Sequence, residues 1–195
     1  NAMYANTTGT SNVSLGHSSL ESNTTADSNT AIGRSALSNN TTGASNVSVG
    51  AFSMNDNTTG ANNTAIGRGS LDANTIGNYN VSVGMDSLTS NSNGEENVAV
   101  GNEALCKNST AGCNTAVGLQ SLFNNTTGHS NTAVGRKSLH AMSTGDCNVA
   151  VGYQAGDITN TGDNNHSFGY DSNPSSNSVS HEITLGNGAN NNLRC

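Results

Sequence analysis

Two apolar columns run through this chain, and both repeat every seventeen residues without slippage. The first, Leu15, Ile32, Val49, Ile66, Val83, Val100, Val117, Val134, Val151, Phe168 and Leu185, is always followed by a glycine. The second comes four residues after that glycine, as Leu20, Leu37, Met54, Leu71, Leu88, Leu105, Leu122 and Leu139, and gives way to Gly156 and Asn173. The glycines, Gly16, Gly33, Gly50, Gly67, Gly84, Gly101, Gly118, Gly135, Gly152, Gly169 and Gly186, keep the period with no insertion or deletion. Strict self-similarity at a short fixed period marks a stack of like units, each touching only its neighbours.

The three residues ahead of each glycine alternate bulky or β-branched with small, as in Thr30-Ala31-Ile32 and Val47-Ser48-Val49. That is strand chemistry. The pattern predicts that the residue before the glycine faces the core. Ala31, Ser48, Ala65, Ser82, Ala99, Ala116 and Ala133 then lie on the opposite face, small enough to let another chain approach. The Asn-Thr-Thr-Gly tracts at 40–43, 57–60 and 125–128 read as turns in which glycine supplies a positive φ. Helix fails, because the units are too short for a helix pair, Gly and Asn punctuate each one, and the apolar residues miss helical spacing.

The expected fold is therefore all-β, a parallel β-solenoid (β-roll or β-helix) of about eleven seventeen-residue coils. At ~4.8 Å per coil, that makes a rod about 50 Å long. Like residues should stack, so Asn12, Asn29, Asn46, Asn63, Asn80, Asn97, Asn114, Asn131, Asn148 and Asn165 are expected to form a column of amides. Two aliphatic side chains per coil are thin support for a whole ordered coil, which argues for association of several chains. One elongated domain is expected. Residues 1–3 read as a tag remnant and start methionine, 4–152 as regular coils, and 153–195 as degenerate coils and a C-terminal transition or cap, where Pro174 also appears.

Composition narrows the function classes. Of 195 residues, 32% are hydrophobic, 4% aromatic and 10% charged, too little apolar bulk for an ordinary globular core. The formal net charge is −7 and the six basic residues are scattered singly, so no nucleic-acid partner is expected. No apolar run is long enough for a membrane span or a signal segment, so no membrane insertion is expected. Cys113 and Cys147 share a column two coils apart, too far for a disulfide, and Cys106 and Cys195 fall in others; all four read as free thiols. His17, His129, His140, His166 and His181 occupy five different phases, which gives no metal pair, and no metal or cofactor is expected.

Sequons such as those at Asn6, Asn40, Asn57 and Asn125 are explained by the turn consensus rather than by glycosylation. No carboxylate pair, nucleophile–base set or phosphate loop stands out, so no catalytic residue is assigned and the chain is expected not to be an enzyme. The column after the glycine varies freely and holds Arg34, Arg68 and Arg136, the candidates for contact with an anionic glycan. Thr7, Thr24, Thr41, Thr58 and Thr75 share a phase, but each is followed by a residue pointing the other way, which argues against a flat ice-binding array.

Units such as Asn29 to Gly43, Asn63 to Gly77 and Asn131 to Gly145 resemble the repeat regions of phage tail fibres and of fibre-like proteins of chlorella viruses. The strand motif is also similar to the head repeat of trimeric autotransporter adhesins of the YadA type. The segment His181 to Asn187, followed by Asn192 to Cys195, resembles the junction where viral fibres pass into an intramolecular chaperone of the peptidase S74 type. The resemblance implies a homotrimeric shaft of a viral host-attachment protein, folded in the host cytoplasm and carried on the virion, with a host cell-surface glycan or receptor as partner. Two alternatives stand beside it: a bacterial surface adhesin head, and a polysaccharide-binding or polysaccharide-cleaving tailspike segment.

Overall fold

The computed structural model describes residues 1–187. It is a single parallel sheet of eleven three-residue strands in chain order. They are β1 (Val13–Leu15), β2 (Thr30–Ile32), β3 (Val47–Val49), β4 (Thr64–Ile66), β5 (Val81–Val83), β6 (Val98–Val100), β7 (Thr115–Val117), β8 (Thr132–Val134), β9 (Val149–Val151), β10 (His166–Phe168) and β11 (Ile183–Leu185). Every neighbouring pair is offset by seventeen residues, from Val13 against Thr30 to His166 against Ile183. The chain is a parallel β-solenoid of about ten turns, and no helix occurs among the described residues.

Most backbone groups are satisfied from coil to coil, and the bonds within a coil are short turns such as the Ala36 amide to the Gly33 carbonyl at 3.3 Å. The Val47 amide donates to the Asn63 carbonyl and the Gly50 amide to the Ile32 carbonyl, both at 2.8 Å. The remainder of a typical coil is turns that hold three residues in the left-handed region, most of them not glycine, as at Ser35 (φ 54), Leu37 (φ 53) and Ser45 (φ 60). Such residues cost about 1–2 kcal/mol each relative to right-handed backbone, so the ladder of bonds between coils must hold them there.

The leucine column is the core: Leu20, Leu37, Met54, Leu71, Leu88, Leu105, Leu122 and Leu139 are all essentially inaccessible. At Gly156 the leucine is lost but the left-handed backbone is kept, at φ 62. A Cβ there would meet Leu139 Cδ2 at 2.7 Å, so the preceding leucine occupies the vacated space.

The expected strand orientation is overturned. Ala31, Ser48, Ala65, Ser82, Ala99, Ala116 and Ala133 are the buried residues, whereas Ile66, Val100, Val134, Val151 and Phe168 lie outside, each more than a third exposed. The coil is so narrow that only a methyl or hydroxymethyl group fits between the strand and the leucine opposite. The close neighbour that demands small side chains is the coil's own far wall. Thus Ser48 Oγ donates to the Ser53 carbonyl at 2.8 Å across the interior, and Ala31, Ala36 and Leu37 belong to one apolar cluster. Each coil therefore buries one large aliphatic side chain and small ones, not two large ones.

A second correction concerns the Asn-Thr-Thr-Gly tract. Gly43, Gly60 and Gly128 are absent from the positive-φ positions. What favours glycine there is crowding, since a Cβ on Gly60 would stand 2.5 Å from both Asn57 Oδ1 and the Gly77 carbonyl oxygen, and only alanine, at Ala26 and Ala111, replaces it between Gly9 and Gly162. The column after the strand combines both demands: Gly101 has φ +139, and a Cβ would lie 2.5 Å from the Gly118 carbonyl oxygen. The same holds along the column from Gly16 to Gly152.

Two amide ladders line the turns. Asn46 offers its backbone N–H to Asn29 Oδ1 and its Nδ2 to the Gly60 carbonyl, both at 2.9 Å, and this arrangement recurs from Asn29 to Asn165. The second ladder runs through the asparagines of the Asn-Thr-Thr-Gly tracts, where the sequence pattern predicts only a turn. Asn40 donates to Asn23 Oδ1 at 3.1 Å, Asn57 to Asn40 at 2.8 Å, and so on to Asn125, which donates to Asn108 at 3.0 Å. These asparagines are fully buried, and each amide accepts from the next in the column until Asn125, whose Oδ1 has no donor because Met142 follows it.

Candidate interaction surface

The outward side of the sheet carries two columns, the first and third residues of each strand. The third-residue column is apolar at every level from Leu15 to Leu185. The first-residue column mixes Val and Thr, with His166 and Ile183 at the end. This contiguous apolar strip runs the length of the sheet, whereas the other exposed apolar side chains, such as Ile76, Met85, Leu119 and Ile158, are scattered over other columns. Strips of that extent on soluble proteins mark binding surfaces.

The arginine candidates lie two residues beyond their strands, and each is engaged by its own chain. The Arg34 guanidinium lies over the Phe52 ring at 4.6 Å. Arg68 donates to Asp86 Oδ2 at 2.8 Å. Arg136 lies over Tyr153 at 5.4 Å and donates to its hydroxyl at 3.2 Å. Tyr153 in turn stacks on Tyr170, 5.5 Å away and 7° from parallel. That aromatic pair was not singled out in the sequence, although both tyrosines stand in the arginine column, where the constant period places them face to face.

A second stack, Phe123, His140 and Asp157, runs along another column. Lys107, from the column beside it, lies over Phe123 at 5.0 Å, Phe123 is stacked on His140 at 5.4 Å, and His140 Nδ1 is 3.9 Å from Asp157. Burial holds the His140 pKa below its ordinary value, and the Asp157 carboxylate opposes this only in part. Asp72 occupies the same column at another level. Its Oδ1 is buried without a hydrogen-bond partner, and burial, followed by repulsion from Asp56, raises its pKa.

Other candidate chemistry is dispersed. Among the described residues no group of three or more His, Cys, Asp or Glu is arranged to hold a metal ion. Cys106, Cys113 and Cys147 are free thiols, and Cys195 lies outside the described residues, as does the segment Asn192 to Cys195. The sequon asparagines Asn40, Asn57 and Asn125 are buried in the inner ladder. The paired threonines point apart: Thr41 Oγ1 donates to the Thr58 carbonyl at 3.0 Å, whereas Thr42 is exposed. No helix among the described residues is long and apolar enough to cross a membrane.

No family model, curated protein or solved structure matches the chain.

Proposed function

We propose that this chain is a non-enzymatic shaft segment of a viral host-attachment fibre, assembled as a homotrimer. The observation that carries the reading is the unbroken register, with every strand pairing displaced by the same seventeen residues. A stack of like coils whose bonds run from each coil to the next makes a spacer of fixed length, about 50 Å at ~4.8 Å per coil. Its backbone amides are tied into the ladder and withheld from proteases. The resemblance of its repeats to those of viral fibres supplies the biological setting. The free thiols fit folding in a reducing compartment.

Association is supported by the apolar strip, though not by the face first expected. The Ala and Ser column is inside the coil and unavailable, whereas Leu15, Ile32, Val49 and their successors form the outer strip that three rods would enclose. Light scattering on purified protein tests this reading, with three times the 19.7 kDa chain mass expected. Incubation with cells and cell-wall polysaccharides of candidate hosts tests the rest, and binding without release of reducing sugar is expected. A stable folded monomer overturns the fibre reading, and release of reducing sugar turns it into that of a tailspike enzyme.

A further inference from the structure

The apolar strip has two chemically different flanks. Two residues beyond each strand lies the column of Arg34, Arg68 and Arg136, which contains no carboxylate among the described residues. On the other side, two and three residues ahead of each strand, the columns hold Asp27, Glu95, Glu96, Asp146 and Asp163 and no lysine or arginine. All eight charged residues are exposed. The next column outward on the basic side is mixed, with Asp86, Glu103, Lys137 and Asp171. Neither Arg34 nor Arg136 is in an ion pair among the described residues, and the Arg68–Asp86 pair is open to solvent at 60% and 29% exposure.

The strip itself constrains what can cover it. Its apolar residues recur once per coil over eleven levels, and only a partner with the same rise stays in step with them throughout. A second copy of this chain meets that condition. The strip is apolar at every level and so is indifferent to whether the second copy points the same way. The flanks are not indifferent.

Turning one rod about an axis parallel to its length reverses its strand direction together with its outward normal. Rods that point the same way therefore set the basic flank of one against the acidic flank of the next, at every interface of a closed ring. Rods that point opposite ways set acid against acid along one whole side. Juxtaposed like charges disfavour an interface, and complementary potentials fix its orientation.

Resting on the association just described, we propose that the copies assemble in parallel, with the flank of Asp27, Glu95, Glu96, Asp146 and Asp163 on one copy facing the flank of Arg34, Arg68 and Arg136 on the next. Asp27 and Arg34 flank the same strand, β2, so an in-register ring brings them to one level. The arginines then serve contact between chains rather than contact with a host glycan.

The test uses the full chain with its four cysteines replaced by serine, after its thermal melt is shown to match that of the parent. Ile32→Cys and Phe168→Cys variants are co-expressed and treated with a short bismaleimide. Parallel assembly links Ile32→Cys to itself and Phe168→Cys to itself. In parallel, Arg34→Glu, Arg68→Glu and Arg136→Glu are combined, which is expected to weaken association at least about tenfold. Adding Asp27→Arg, Glu95→Arg and Asp146→Arg is expected to restore it. A folded monomer overturns the association itself. An oligomer with links between positions 32 and 168 overturns the parallel orientation and leaves the shaft reading standing. A parallel oligomer whose affinity ignores the charge reversal overturns the pairing of the flanks.

Discussion

Met142 stands where the inner amide ladder calls for an asparagine, directly after Asn125 in the column. Asn125 Oδ1 is buried with no donor, and Thr159 Oγ1, one coil further on, is buried with no partner. Met142→Asn would place Nδ2 against Asn125 Oδ1 and Oδ1 against the Thr159 hydroxyl, which closes both gaps at once. Leaving a buried polar atom unpaired costs about 1–3 kcal/mol, more than is lost with part of the methionine's apolar contact. A higher Tm is expected for Met142→Asn and a lower one for Asn91→Met, which would open the same fault in mid-rod. Thermal melts followed by circular dichroism check both.

The two glycine columns should respond differently to alanine. At Gly101 the backbone is left-handed and a Cβ would strike the Gly118 carbonyl, so Gly101→Ala should cost more than about 3 kcal/mol. Gly94→Ala should be milder, because Ala26 and Ala111 already occupy the equivalent position in their own coils. Chemical denaturation of the two variants separates them.

Enlarging the inner face should hurt more than trimming the outer one. Ala99 is fully buried between strand and leucine, so Ala99→Val overpacks the coil at about 1–3 kcal/mol. Val100→Ala removes a side chain that is already 36% exposed and should change the stability of the coil stack less. Reversal of this order in denaturant melts at fixed protein concentration would restore the orientation first expected from the sequence.

Asp72 links stability to pH. Its folded pKa is raised above the ordinary carboxyl value of 3.8, with burial the main cause. A raised folded value means that the native state holds the proton more tightly than the unfolded chain does. Its contribution is present in full below 3.8 and is lost as the pH rises through the folded value. Asp72→Asn should therefore raise the Tm near neutral pH, and the difference should shrink as the pH is lowered to about 3. A gain that persists unchanged at acid pH would contradict this account.

The period, the register, the leucine core and the glycine column were all legible in the sequence, because each depends on a residue type recurring at a fixed spacing. The outer Asn29 to Asn165 ladder was legible for the same reason. Which way the strands face was not. A three-residue strand gives one alternation and no statement of which side is inside, and the usual rule that large apolar residues go inward fails when the interior is only wide enough for alanine. The inner Asn23 to Asn125 ladder was hidden by its resemblance to turn consensus. The role of Gly60 was hidden too, since crowding by the next coil is invisible in a sequence read one coil at a time. The tyrosine stack needed the column to be read across residues of different type.

Because each coil is bonded only to the coils before and after it, a pull on the two chain ends meets the molecule in series. Bonds of one coil open together before the next coil is loaded, as in unwinding thread from a spool. Each opened coil frees seventeen residues, a contour of about 60 Å at ~3.4 Å per residue. The same molecule compressed or bent offers no such sequential yield, since every level of the ladder is engaged at once. A solenoid of this kind would be stiff while its ends are held, and under tension on a single chain it would lengthen in equal steps.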